Sequence, residues 1–111
     1  MKTIAIPIFG SRVSSRIDCA ESFLLVSVER GEIRKRETVR LVATNHLEKI
    51  NMLIKLDPDV LICGGLTEVC ANKLQSSHLQ VLPWIHGEAE EVLSLYLEGK
   101  LQAEGIYGRK A

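Results

Sequence analysis

Much is missing from this 111-residue sequence, beginning with any excess of charge. Fourteen basic residues balance fourteen acidic ones. A surface held on nucleic acid by bulk positive charge is therefore not expected, although a local basic patch stays open. No apolar run approaches the roughly 20 residues a membrane-spanning helix needs. The start, Met1-Lys2-Thr3 before a short strand-like run, lacks the build of a signal peptide. A cytoplasmic protein with no membrane partner is the expectation. Cysteine is scarce: three residues, an odd number without disulfide-scaffold spacing, which suits reduced thiols. There is no CxxC pair and no zinc signature. Nucleophile elbow, phosphate loop and paired-histidine motifs are also absent, so an enzyme is not expected. Neither an internal repeat nor a low-complexity segment appears.

What is present describes an ordinary globular domain, 46% hydrophobic and 25% charged. The length allows one real core and not two. We read residues 1–101 as a single domain and 102–111, where the apolar pattern fades, as a flexible tail.

The chain is organised around Asp59 to Cys70. Val60 to Cys63 is a short apolar run that stops at Gly64-Gly65, as a strand buried on both faces would. The glycines permit a tight reversal. Thr67 then resembles an N-cap, with Val69, Lys73 and Leu74 at helical spacing. Strand, turn and helix start would leave backbone N–H groups free at the carboxyl end of a central strand, where open α/β sheets bind ligands.

Elsewhere, Thr3 to Phe9 reads as an interior strand, with Pro7 near its end or opposite a bulge. Gly10 to Ser22 is a long polar loop. Phe23 to Val28 and Ile33 to Leu41 form a hairpin around Glu29-Arg30-Gly31-Glu32. The second arm alternates charges, including Arg34, Arg36 and Arg40. That suits a solvated sheet edge or, less simply, an anionic partner. Asn45 and Glu48 form a capping box for a helix that Asp57-Pro58 ends. Leu79 to Ile85 is a last strand. A third helix follows Gly87, with Glu88, Glu90 and Glu91 in its first turn and Gly99 as its C-cap.

The order strand, strand, strand, helix, strand, helix, strand, helix implies an α/β fold. We expect a mixed five-stranded sheet, ribonuclease H-like, with three helices. Strands 1–3 would form an antiparallel meander, and strands 4 and 5 would lie parallel to strand 1.

Four stretches, in this order, resemble one family: Ile4-Ala5-Ile6-Pro7, the loop from Arg12-Val13-Ser14 to Ala20-Glu21-Ser22-Phe23, Leu61-Ile62-Cys63-Gly64-Gly65, and Val81-Leu82-Pro83-Trp84-Ile85-His86-Gly87. The run from Glu91-Val92-Leu93 to Leu101 is also similar. The family is that of dinitrogenase iron–molybdenum cofactor biosynthesis, the NifX-type domain also found at the C-terminus of NifB proteins. The resemblance implies a small ribonuclease H-like domain that holds iron–sulfur or iron–molybdenum precursor clusters, with cofactor-biosynthesis proteins as partners. The family's first loop often carries a histidine regarded as a cluster ligand. Here the loop reads Ser14-Ser15-Arg16-Ile17, so Arg16 stands in that place. Arginine offers only donors and cannot ligate a metal, but it can pair with an anionic cluster.

If strands 1, 4 and 5 are parallel, their carboxyl ends bring Gly10 to Cys19, Cys63 to Cys70 and His86-Gly87 to one rim. Cys19, Cys63, Cys70 and His86 become candidate soft ligands. Arg12 and Arg16 would balance charge, and Gly64 and Gly65 would lie against the cofactor. Each residue also has a plainer reading. Cys63 can be a small core hydrophobe. Cys70, in a helix's first turn, can be a stabilised thiolate or a packed side chain. His86 can simply hydrogen-bond at a helix entry, and Trp84 can be a core anchor. His46 and His78 read as solvated. Ribonuclease chemistry would need carboxylates on central strands, but the first strand offers Ile4, Ala5 and Ile6, and Asp59 lies at the wrong end of the fourth. The alternative to a cluster carrier is an apo interaction or regulatory module that binds a small anion or a partner protein.

Overall fold

The computed structural model describes residues 1–17 and 20–101. Nine elements follow in order: β1 (Lys2–Phe9), β2 (Arg12–Val13), β3 (Ser22–Glu29), β4 (Glu32–Arg40), α1 (His46–Lys55), β5 (Val60–Ile62), α2 (Glu68–Gln75), β6 (Gln80–Leu82) and α3 (Ala89–Leu97). The sheet runs β4-β3-β1-β5-β6, with β2 paired to the end of β1. Six strands therefore stand where five were expected. The sixth is a two-residue segment inside the polar loop, too short to show an alternating pattern.

Pairing follows from the side chains. β1, β3 and β4 are antiparallel neighbours, and β5 and β6 add in parallel on the far side of β1. β1 and β5 sit in the middle and are apolar on both faces, as strands covered on both sides must be. Pro7 falls near the end of β1, past Ile4 and Ala5, which register with Val60 and Leu61 of β5. Beyond that ladder its carbonyl accepts from Ser14 N–H at 2.9 Å, so the missing proline N–H interrupts nothing.

Helices cover the two faces unequally. On one, Ile4, Ile6, Leu24, Val26, Val60 and Ile62 pack against Val92 and Leu93 of α3. On the other, Ala5, Phe23, Leu61 and Cys63 pack against Ile50 and Leu53 of α1 and Cys70 and Leu74 of α2. Local signals place the helix ends. Asn45 accepts from Glu48 N–H at 2.8 Å, and Thr67 accepts from Cys70 N–H at 3.2 Å. α3 closes with Gly99 at φ +74: Gly99 N–H reaches Tyr96 O at 3.0 Å and Lys100 N–H reaches Leu95 O at 2.8 Å. That pair of bonds is the Schellman arrangement.

β4 is the charged edge. Its arginines are matched within the chain: Arg34 by Glu29 at 3.7 Å, Arg36 by Glu90 at 2.6 Å and Arg40 by Glu21 at 2.9 Å. All of these pairs are exposed, so they hold charge in place more than they stabilise. No helix among the described residues is long and apolar enough to cross a membrane. Residues 102–111, read from sequence as a tail, lie outside the described residues.

Candidate functional site

The parallel strands β1, β5 and β6 end at one rim, and main-chain bonds lace the segments that leave them. Gly65 N–H donates to Ser15 O at 2.7 Å, and Ile17 N–H donates to Gly65 O at 3.1 Å. These bonds form a short parallel bridge between Arg16 and Gly65. Trp84 N–H donates to Gly64 O, and Ile85 N–H to Cys63 O, both at 2.9 Å. On the outer side, β2 is clamped by Val13 N–H to Gly87 O and Ala89 N–H to Ser11 O, again at 2.9 Å. Ser14, buried, turns its hydroxyl inward to Arg16 O at 2.9 Å and so shapes the loop from within.

The double glycine exists for this crossing. A Cβ on Gly64 would overlap the carbonyl oxygen of Ser14 and lie 2.7 Å from that of Ser15. One on Gly65 would lie 3.1 Å from the Trp84 ring and 3.2 Å from Ser15 O. Neither glycine has a positive φ; what they permit is close approach. This corrects the expectation of free backbone donors at the turn. Gly65 N–H is taken by the chain's own loop, and Cys70 N–H by Thr67.

The candidate side chains divide by depth. Cys63 and Cys70 are buried and reduced beneath the turn, within the apolar cluster of α1 and α2. Burial pushes the Cys63 thiol from its ordinary 9.0 up to about 12, with Cys70 nearby adding to the shift. A thiol in that state is a poor nucleophile and a poor ligand. Arg12, Arg16 and His86 lie exposed on the rim's outer surface. Arg12 faces Glu88 at 3.5 Å. Cys19 lies outside the described residues. Among those described, no three His, Cys, Asp or Glu side chains come together as a metal site. His46 is exposed as expected, and His78 meets Asp57 at 3.4 Å on the surface.

Two rim features, Phe9 and Lys49, were not singled out from sequence, and a third, Trp84, is not buried as a core anchor would be. Phe9 is 82% exposed at the end of β1. Trp84 adopts φ +63, which is rare for a bulky residue, and lays its half-exposed ring on Gly65. Lys49 is buried in α1 and donates to Ala20 O at 2.6 Å, tying the helix to the end of the rim loop. Of Phe9 and Lys49, only Lys49 carried a signal, since it adjoins Ile50 on the buried stripe. At the opposite pole, Asp59 accepts from Thr3 N–H at 2.8 Å, which makes its carboxylate a strand fastener.

The family model described as dinitrogenase iron-molybdenum cofactor matches residues 1–99. The chain belongs to that family. As a dinitrogenase iron-molybdenum cofactor domain it has relatives at low identity. An uncharacterized protein of Methanocaldococcus jannaschii is 24% identical over 104 residues, covering 89% of this chain and 88% of the relative. The crystal structure of PH0822 superposes with a TM-score of 0.86 at 19% identity, covering 97% and 99% of the two chains. The apo form of the orange protein from Desulfovibrio gigas gives 0.76 at 19% identity, covering 95% and 94%. These structures share the fold, and their likeness extends no further than that.

Proposed function

We propose that this domain is a cytoplasmic, non-catalytic carrier. It receives an iron–sulfur or iron–molybdenum precursor cluster on the carboxyl-end rim and passes it between cofactor-biosynthesis proteins. The family match over residues 1–99 carries the reading. Cys19 supplies a thiolate and His86 a second soft donor. Arg12 and Arg16 offset the negative charge of the cargo. The donor set fits such a cargo only in part, because Cys63 and Cys70 lie under the turn. Reaching them requires the Ser14 to Ile17 loop to lift from Gly64 and Gly65. A non-catalytic role is supported by a first strand without acids and by an Asp59 carboxylate bound to backbone.

Anaerobic reconstitution with iron and sulfide tests this reading. The expected result is thiolate-to-iron absorption that Cys19→Ser abolishes and Cys63→Ala retains. Absorption indifferent to Cys19→Ser removes the rim as the binding place.

A second reading, an apo module that binds a partner protein or small anion, is favoured by one observation. Phe9, Val42, Leu47, Val69 and Trp84, five of the exposed large apolar residues, all lie at this same end of the sheet. A variant with all three cysteines changed to alanine that still binds partner or anion at full strength selects this reading.

A further inference from the structure

The pole opposite the rim holds a hollow of about 770 Å³, a volume typical of small-molecule sites. It forms where β1 begins, where the β3–β4 hairpin turns and where α3 ends. Its floor is apolar, made by Ile4 and Val28, with Tyr96 and Leu97 as one wall. Lys2 and Arg30 stand at its mouth.

Arg12, Arg34, Lys35, Arg36, Arg40 and Lys100 each face a carboxylate of this chain. Among the described residues, Lys2, Arg30, Lys55 and Lys73 are exposed cations that face none, and of these only Lys2 and Arg30 line the hollow. Lys2 Nζ sits 5.9 Å from the centre of the Tyr96 ring and 3.4 Å from its hydroxyl. The one acid in the lining, Glu29, is turned to Arg34 at 3.7 Å. Arg30 is also unusual in its backbone. It takes φ +57, ahead of Gly31 at φ +79, a tight-turn position that Asn, Asp or Gly fills most easily. A bulky cation kept there against local preference points to a use for its charge.

We propose that this hollow binds a small organic anion with an apolar, aromatic body. The body would lie against Tyr96, Leu97 and Val28, and the acidic group would take hydrogen bonds from Lys2 and Arg30. The site is separate from the rim and does not depend on the carrier reading.

The probe is 8-anilinonaphthalene-1-sulfonate, followed by fluorescence and by amide shifts of the full chain. Binding should shift Lys2, Arg30 and Tyr96 and weaken as salt rises. The double variant Lys2→Gln/Arg30→Asn should loosen it at least about tenfold, the loss of two charge-assisted bonds. Both residues are exposed, and asparagine suits the turn, so the variant should fold as the parent does. The uncharged N-phenyl-1-naphthylamine should bind more weakly than the sulfonate. Absent binding, equal binding by the neutral analogue, an unaffected double variant or shifts confined to the rim would each overturn the proposal.

Discussion

The two poles of this sheet are built in opposite ways. At the carboxyl end, where parallel strands usually leave room for a ligand, the chain crosses itself. Ser15 and Ile17 bond to Gly65, Trp84 bonds to Gly64, and no space remains for a single added carbon at Gly64. At the amino end, Asp59 N–H to Thr3 O at 2.8 Å and Gln80 N–H to Asp59 O at 3.1 Å join strands side by side. Beside them a hollow is left open whose Lys2 and Arg30 face no carboxylate among the described residues. Topology tells where a rim lies but not whether its floor is accessible. On the carrier reading, the rim's chemistry rests on Cys19 and on the exposed Arg12, Arg16 and His86, or waits for the loop to lift.

The sharpest way to break that comparison is a methyl group at the crossing. Gly64→Ala drives a Cβ into two backbone carbonyls that cannot rotate away. We expect a loss of about 3 kcal/mol, the upper part of the range for overpacking. For a domain of this size that lowers the melting temperature by roughly 10 °C or more. Gly65→Ala meets chiefly the Trp84 ring, a side chain with freedom to shift, and should cost about 1 kcal/mol. Paired thermal melts decide it. If the two variants melt together, the loop is not seated as tightly as its hydrogen bonds imply.

Cys63, just beneath the crossing, gives the next largest effect. Serine puts a hydroxyl where burial is complete, at a cost of about 2 kcal/mol unless it finds an acceptor. Alanine leaves only a small cavity, at about 1 kcal/mol. Titration adds a second handle. The folded thiol holds its proton to about pH 12, while the unfolded thiol releases it near its ordinary 9.0. The native state therefore binds more protons across that interval, and stability falls as pH rises from 9 towards 12. Denaturant midpoints measured across this range should decline less steeply in Cys63→Ala than in the parent.

Much of the frame was legible because its signals are local and redundant. The double-sided apolar runs of β1 and β5, the Asn45 and Thr67 caps and the Gly99 stop each state their own role, and the sheet order follows from the order of elements. β2 was not legible, since two residues cannot show a period and the bonds that clamp it come from Gly87 and Ala89, far along the chain. The glycine pair was located correctly, but its purpose was not visible. Whether Gly-Gly admits a ligand or the protein's own loop depends on where residues 14–17 fall, which is a long-range fact. The same holds for the cysteines: position in a strand or first turn says little about depth. The hollow at the amino pole was invisible because Lys2, Arg30 and Tyr96 are distant in sequence and share no motif.

The smallest effect separates two carboxylates that fasten backbone at the two poles. Asp59 holds Thr3 N–H at the amino end. At the rim, Glu48 accepts from the Thr44 hydroxyl at 2.7 Å and from Thr44 N–H at 3.0 Å, anchoring the entry to α1. The hydroxyl bond first, and the backbone bond with it, lower the Glu48 pKa below its ordinary 4.5. A lowered carboxylate contributes its stabilisation fully above the unfolded value and loses it as pH falls through the folded one. Acidification below 4.5 should therefore release the first turn of α1 before the sheet is affected. Amide exchange at Thr44 should quicken there, while Thr3 keeps its protection. Glu48→Ala should produce the same quickening at neutral pH, with the core amides of β1 and β5 unchanged. Should Thr44 and Thr3 open together, the rim entry is not an independent unit, and the crossing at Gly64 must hold α1 as well.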